Sequence, residues 1–166
     1  MENSISILLA GVLAAVAGAA VAVAVRPLRA ARRAEQLARI QRDFHRQREQ
    51  LEAKFIDRAA ASGKPRGLLW SNVVFDDDVI YVRDRRNRSL KALVATEVSF
   101  EAVEGGGMED VEAVSNVRAA TAEFLYDGTR WCTEGRVYFN LAPSAAVKYL
   151  SADLELVAEE HAVSRS

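Results

Sequence analysis

From Ile5 to Val25 the chain runs without a charged residue, and no other feature limits its architecture so strongly. A run of that length and character can cross the hydrocarbon core of a bilayer as a helix. A helix in lipid satisfies its own backbone donors and acceptors, so the segment needs no partner there. Two rivals stand against that reading. A secretory signal peptide would open on positive charge, whereas this chain opens Met1-Glu2-Asn3-Ser4. It does carry a small-x-small cleavage pattern at Ala22-Val23-Ala24. A buried core helix would need an apolar shell that the polar segment behind it does not supply. The membrane anchor is the preferred reading, with an exported, cleaved form as its alternative.

Orientation follows from the flanks. Arg26, Arg29, Arg32 and Arg33 crowd the C-terminal side, while Glu2 is the one charged side chain before the run. The positive-inside rule places the N-terminus outside and everything after residue 26 in the cytoplasm. Small residues recur every four positions within the run, at Gly11, Ala15 and Ala19 and again at Ala14, Gly18 and Ala22. Such rows permit close helix–helix approach, although a run this rich in alanine produces them by chance as well.

Charge then divides the rest. Residues 26–66 hold twelve Arg or Lys against five Asp or Glu, and residues 67–166 hold ten against seventeen. The net charge of −1 conceals this split, which says more about partners than the total does. The excess of arginine over lysine and the abundant alanine suit a GC-rich bacterial genome.

From Leu28 to Ala61 there is neither glycine nor proline, and strong helix formers dominate. Pro27 suits a first helical turn or a kink, and Gly63-Lys64-Pro65 suits a stop. Leu37, Ile40, Phe44, Leu51 and Phe55 fall at spacings of three, four, seven and four, a helical stripe with one gap. Residues 27–63 therefore read as a basic helical stalk. A short coiled coil that pairs two copies and a face lying on anionic lipid headgroups are its preferred uses; packing on the chain's own domain is the third. An arginine-rich helix can bind nucleic acid, but the acidic domain beside it argues against that partner. His45 has Glu49 at i+4 and no second His or Cys, which fits a surface residue better than a metal ligand.

Residues 64–160 alternate as strands do. The expected elements are Leu69–Phe75, a polar turn at Asp76-Asp77-Asp78, Val79–Val82, a charged loop Asp84–Ser89, and the long strand Leu90–Val103. Ala119–Tyr126 and Arg130–Leu141 flank Asp127-Gly128, a hairpin signal, with Gly135 marking a bulge. Val147, Leu150, Leu154 and Val157 then follow a helical spacing, so Ser144–Glu160 reads as a terminal helix capped by Ser144. The expected fold is α+β: a transmembrane helix at 1–26, the stalk, an antiparallel sheet of four to five strands with a C-terminal helix, and a disordered tail at 161–166.

Chemistry is sparse. Cys132 is the one cysteine, which rules out an intramolecular disulfide and a multi-cysteine metal site. Three successive carboxylates at Asp76–Asp78 splay apart and lack the spacing of a calcium loop. The segment from Glu104 through the triple glycine to Glu112 lacks the lysine of a phosphate loop; it reads as a connector or a flexible partner-contact loop. Arg83, Arg85, Arg86 and Arg88 make a basic hairpin tip that could meet lipid headgroups. His161 lies in the tail, so no histidine-based triad is expected inside the domain. No catalytic, cofactor-binding or metal-binding set is assigned, and no enzymatic activity is expected. The sequence reads as a membrane-tethered interaction or scaffold module with a protein partner or self-association. The alternative is a small ligand-binding or enzymatic domain with its pocket in the α+β fold.

Overall fold

A computed structural model describes residues 2–62, 67–105 and 116–162; before Val25 it describes the helix backbone and, at Gly11, an exposed position, with side chains described from Val25 onward. The expected stop at Gly63-Lys64-Pro65 and the triple glycine beyond Gly105 lie outside these residues. So do the side chains of residues 5–24 of the uncharged run, Gly11 aside. Among the described residues, no helix is long and apolar enough to cross a membrane.

The chain is a mixed α+β protein whose element order is α1 (Glu2–Ala61), β1 (Leu68–Asp84), β2 (Leu90–Ala102), β3 (Arg118–Tyr126), β4 (Trp131–Cys132), β5 (Val137–Phe139), α2 (Pro143–Tyr149) and β6 (Leu154–Glu160). It divides into two compact units, residues 1–45 and residues 46–166. The first is helical; within it the rings of Phe44 and His45 meet edge to face at 5.7 Å. The second holds the end of α1 and the sheet.

In this second unit the helical stripe packs on the chain's own domain. Leu51, Phe55 and Ala59 are buried. The Phe55 ring meets those of Trp70, Phe75 and Phe124 at 6.4, 5.7 and 5.7 Å, so one helical residue joins strands β1 and β3. Edge and tilted geometries of this kind suit the aromatic quadrupole. Gly135 permits the close fit at the helix end. Its φ is +73°, and a Cβ there would lie 2.5 Å from the Ala59 nitrogen.

The antiparallel sheet has six strands, not the four to five expected. Its order is β4-β3-β2-β1-β6, with β5 also on β3. Two expected elements merge. Leu69–Phe75 and Val79–Val82 are parts of one strand, and Asp76–Asp78 is a bulge within it, where the register against β2 shifts between Phe75 and Val79. The Arg48 guanidinium makes the bulge tolerable by donating to the carbonyls of Asp76 and Asp77, while its Nε holds Glu52 at 2.7 Å. One expected element divides: Arg130–Leu141 becomes β4 and β5, both on β3, separated around Gly135.

The terminal helix also differs. Pro143–Tyr149 is helical, with Ala142 rather than Ser144 at its N-cap and no side-chain cap. It closes at Leu150, and Leu154–Glu160 pairs with Val79–Asp84 of β1. The open edge of β1 supplies a ladder that outweighs the helical spacing of Leu150, Leu154 and Val157, since tertiary pairing overrides local propensity. Of the expected tail, residues 161 and 162 are described: Asp78 accepts from the Ala162 amide at 2.7 Å and pairs with His161 at 3.0 Å. Residues 163–166 lie outside the described set.

Candidate binding surface

Alternation along each strand gives the sheet two faces. The face under α1 carries Phe100, Phe124 and Trp70. The opposite face is covered in one part by α2, where Ala146 packs with Val82, Leu93 and Leu154, and Ile80, Tyr138, Leu141, Val147 and Leu150 surround them. Beside α2 that face is open.

On the covered part, towards the β1–β2 hairpin, charge lies in an otherwise apolar setting. Lys91 and Glu123 are 9% and 8% exposed, and Lys91 Nζ lies 3.3 Å from Glu123 Oε2 and 3.4 Å from Asp84 Oδ2. The Tyr138 hydroxyl donates to the same Glu123 oxygen at 2.8 Å. Burial and its carboxylate partner push the Tyr138 phenol up to about 12. The Arg86 amide, and to a lesser degree Lys91, hold the Asp84 carboxyl below its usual range. Buried charges persist only when paired and hydrogen-bonded, and each member here has such partners. The network knits β2, β3 and β5 together and leaves its polar atoms little freedom to engage anything else.

The open part is a shallow cleft of about 330 Å³, lined by Val74, Phe75, Asp76, Ala95, Thr96, Glu97, Ala119, Ala120 and Ala142. Its floor is mostly alanine, because Ala95, Ala119 and Ala142 stand where larger residues would fill the space. The Thr96 hydroxyl donates to Val74 O at 2.9 Å, and Asp76 Oδ1 accepts from the Asp78 amide at 3.4 Å; the cleft's charged side chains are the Asp76 and Glu97 carboxylates. Its volume is near the lower bound for a small-ligand site, but it lacks the converging polar groups that fix a ligand's orientation. Chemically it offers apolar contact beside negative charge. Val74 in its wall and Leu69 beyond it, 53% and 58% exposed, carry the apolar character along β1.

The residues singled out from sequence are scattered. Cys132 is a reduced thiol on β4 whose Sγ donates to Leu125 O at 3.4 Å; burial, then Asp127, raises its pKa. The arginine tip is partly neutralised, with Arg86 on Asp153 at 2.7 Å and Arg88 on Glu155 at 3.3 Å. His161 and Asp78 form a clasp between the end of β6 and the bulge. Hydrogen bonding to His161 lowers the Asp78 pKa, and the same bond raises that of His161. Among the described residues, no three or more His, Cys, Asp or Glu side chains are placed to share a metal ion. Glu104 and Gly105 are the described part of the acidic glycine segment.

Sequence reasoning missed the Lys91–Glu123–Tyr138 network and the role of Arg48. One signal existed: Leu93 shares a face with Lys91, so that end of β2 had to be covered on both sides. No family model, no curated protein and no solved structure matches this chain.

Proposed function

We propose that this chain is a membrane-anchored interaction module that displays its α+β domain at the cytoplasmic face. The observation that carries the interaction half is the open quadrant of the sheet, where Val74, Ala95, Ala119 and Ala142 lie beside Asp76 and Glu97. Apolar surface next to fixed charge is the chemistry of a partner contact. The anchor half rests on sequence: the uncharged run from Ile5 to Val25 and the arginines that follow it. The stalk arginines add attraction to anionic headgroups, about 1 kcal/mol for each one near the surface.

The test is fractionation with topology mapping. The full chain is expected in carbonate-washed membranes, and a variant lacking residues 2–25 in the supernatant. In a Cys132→Ala background, Glu97→Cys is expected to label only after the cytoplasmic side is opened. Recovery of the intact chain in detergent-free supernatant would remove the anchor, and labelling from outside intact cells would reverse the orientation.

A further inference from the structure

The sheet face that carries the cleft is short of a layer. α2, the helix on that face, has seven residues and packs on Val82, Leu93 and Leu154. Beyond it, register places Val74, Glu97 and Ala119 in one row across β1, β2 and β3, and all three are exposed. Asn72 pairs with Ser99, and Leu69 with Glu101. These rows continue the same face, with Leu69 and Glu101 again exposed. Each exposed apolar side chain of β1 here thus stands directly across from a carboxylate: Val74 from Glu97, and Leu69 from Glu101. Among the described residues, neither Glu97 nor Glu101 has an ion-pair partner. Sheets bury apolar faces under a further layer, and exposed apolar surface rimmed by charge marks a contact.

We propose that this face takes an amphipathic helix of a partner protein, apolar along one stripe and rich in lysine or arginine beside it. The inference rests on the interaction half of the function proposed above, and not on the anchor. Charge selects the occupant. Asp76 and Glu97 are the charged residues that line the cleft, with no base among its lining. Residues 67–166 as a whole hold ten bases against seventeen acids, so the local and the summed fields both attract a cation. The chain's own connector at 106–115 carries Glu109, Asp110 and Glu112 and no base, which makes it a poor occupant by the same rule. Shape selects a helix. The open area is a face rather than an edge, floored by alanine, and an apolar helical stripe lays into such a surface. Glu97 and Glu101 lie on one side of β2, about 13 Å apart at ~3.3 Å per residue. Helical positions seven apart are separated by about 11 Å, so two bases at that spacing can meet both carboxylates while the stripe covers Leu69 and Val74.

The experiment passes the full chain in detergent micelles over immobilised synthetic helices, with empty micelles as the blank. One helix has leucines along one face and lysines beside them, a second has glutamates in place of the lysines, and a third scrambles the lysine–leucine order. The lysine–leucine helix is expected to bind best, and more weakly as salt rises. Glu97→Lys with Glu101→Lys is expected to weaken it about tenfold or more. Asp57→Lys with Glu134→Lys makes the same change of net charge at exposed positions elsewhere and should leave binding within about twofold. Leu69→Thr with Val74→Thr should also weaken it. Both positions are exposed and threonine suits a strand, so the thermal midpoint should stay where it was. Equal losses from the two lysine pairs, or equal binding of the scrambled helix, would reduce the attraction to bulk charge and overturn the inference. Preference for the glutamate helix, or a dimer of the chain that Glu97→Lys with Glu101→Lys takes apart, would also overturn it and leave the interaction reading standing. Binding of none of the three helices, with no dimer, would remove both.

Discussion

Gly135 is the position where one added carbon has the plainest consequence. Its positive φ disfavours any L side chain, and a Cβ would collide with the Ala59 and Arg58 backbone at 2.5 and 2.7 Å. Gly135→Ala combines a left-handed penalty with overpacking and is expected to cost about 2–4 kcal/mol in urea unfolding. Gly128 also has positive φ, but open space surrounds it, so Gly128→Ala should cost about 1 kcal/mol. Comparable losses at both sites would mean that the helix contact is not formed. The buried charges give a second expectation. Lys91→Met leaves Glu123 and Asp84 without their shared cation and should cost about 3 kcal/mol or more. Glu123→Gln, which keeps an acceptor for Tyr138, should cost less. The clasp gives a third. His161 has a raised pKa and Asp78 a lowered one. The contribution from His161 is therefore complete below about 6.5 and fades as pH climbs through its higher folded value; that from Asp78 is complete above about 3.9 and fades as pH falls through its lower folded value. The clasp should be tightest between those limits. Proton NMR should find His161 titrating above its ordinary value, and Asp78→Asn should return it there.

Among the elements, α1 makes the clearest energetic statement, because its last turns are core. Phe55 is fully buried against three aromatic rings, so Phe55→Ala is expected to cost about 3–5 kcal/mol. Loss of near-ultraviolet circular dichroism at lower urea would register it; a change within 0.5 kcal/mol would mean that the helix merely rests on the sheet. How far each element was legible depended on how local its cause is. β2 and β3 were read to within a residue or so, since their alternation is written in their own side chains. Asp76–Asp78 looked like a turn because three carboxylates usually lie in water there. What keeps the strand continuous is Arg48, far away in sequence, and no local pattern announces it. β6 was read as helix for the same reason: its spacing suits a helix, while the deciding partner, the Val79–Asp84 edge, is remote. The Asp127-Gly128 signal gave the right connection with different geometry. Gly128 is left-handed but Asp127 is not, and its carboxylate instead accepts from the Thr129 and Arg130 amides at 2.8 and 2.9 Å. Those bonds, the Arg130 amide first, lower its pKa to about 2. At the surface, the cleft was invisible in sequence because small residues at inward positions look the same whether something covers them or nothing does.

For the molecule as a whole, the seam between helix and sheet bears on how the chain is made. Phe55 leaves the ribosome well before Phe124, its partner on β3, has been translated. Until that strand arrives, the apolar side of the helix has only β1 and β2 to lean on, and the bulge that Arg48 closes is still forming. Settling of the domain is therefore a late event in synthesis, well after the uncharged run and the arginines that follow it have left the ribosome. A nascent chain stalled before β3 should remain open to protease, and one stalled after residue 140 is out of the tunnel should resist it.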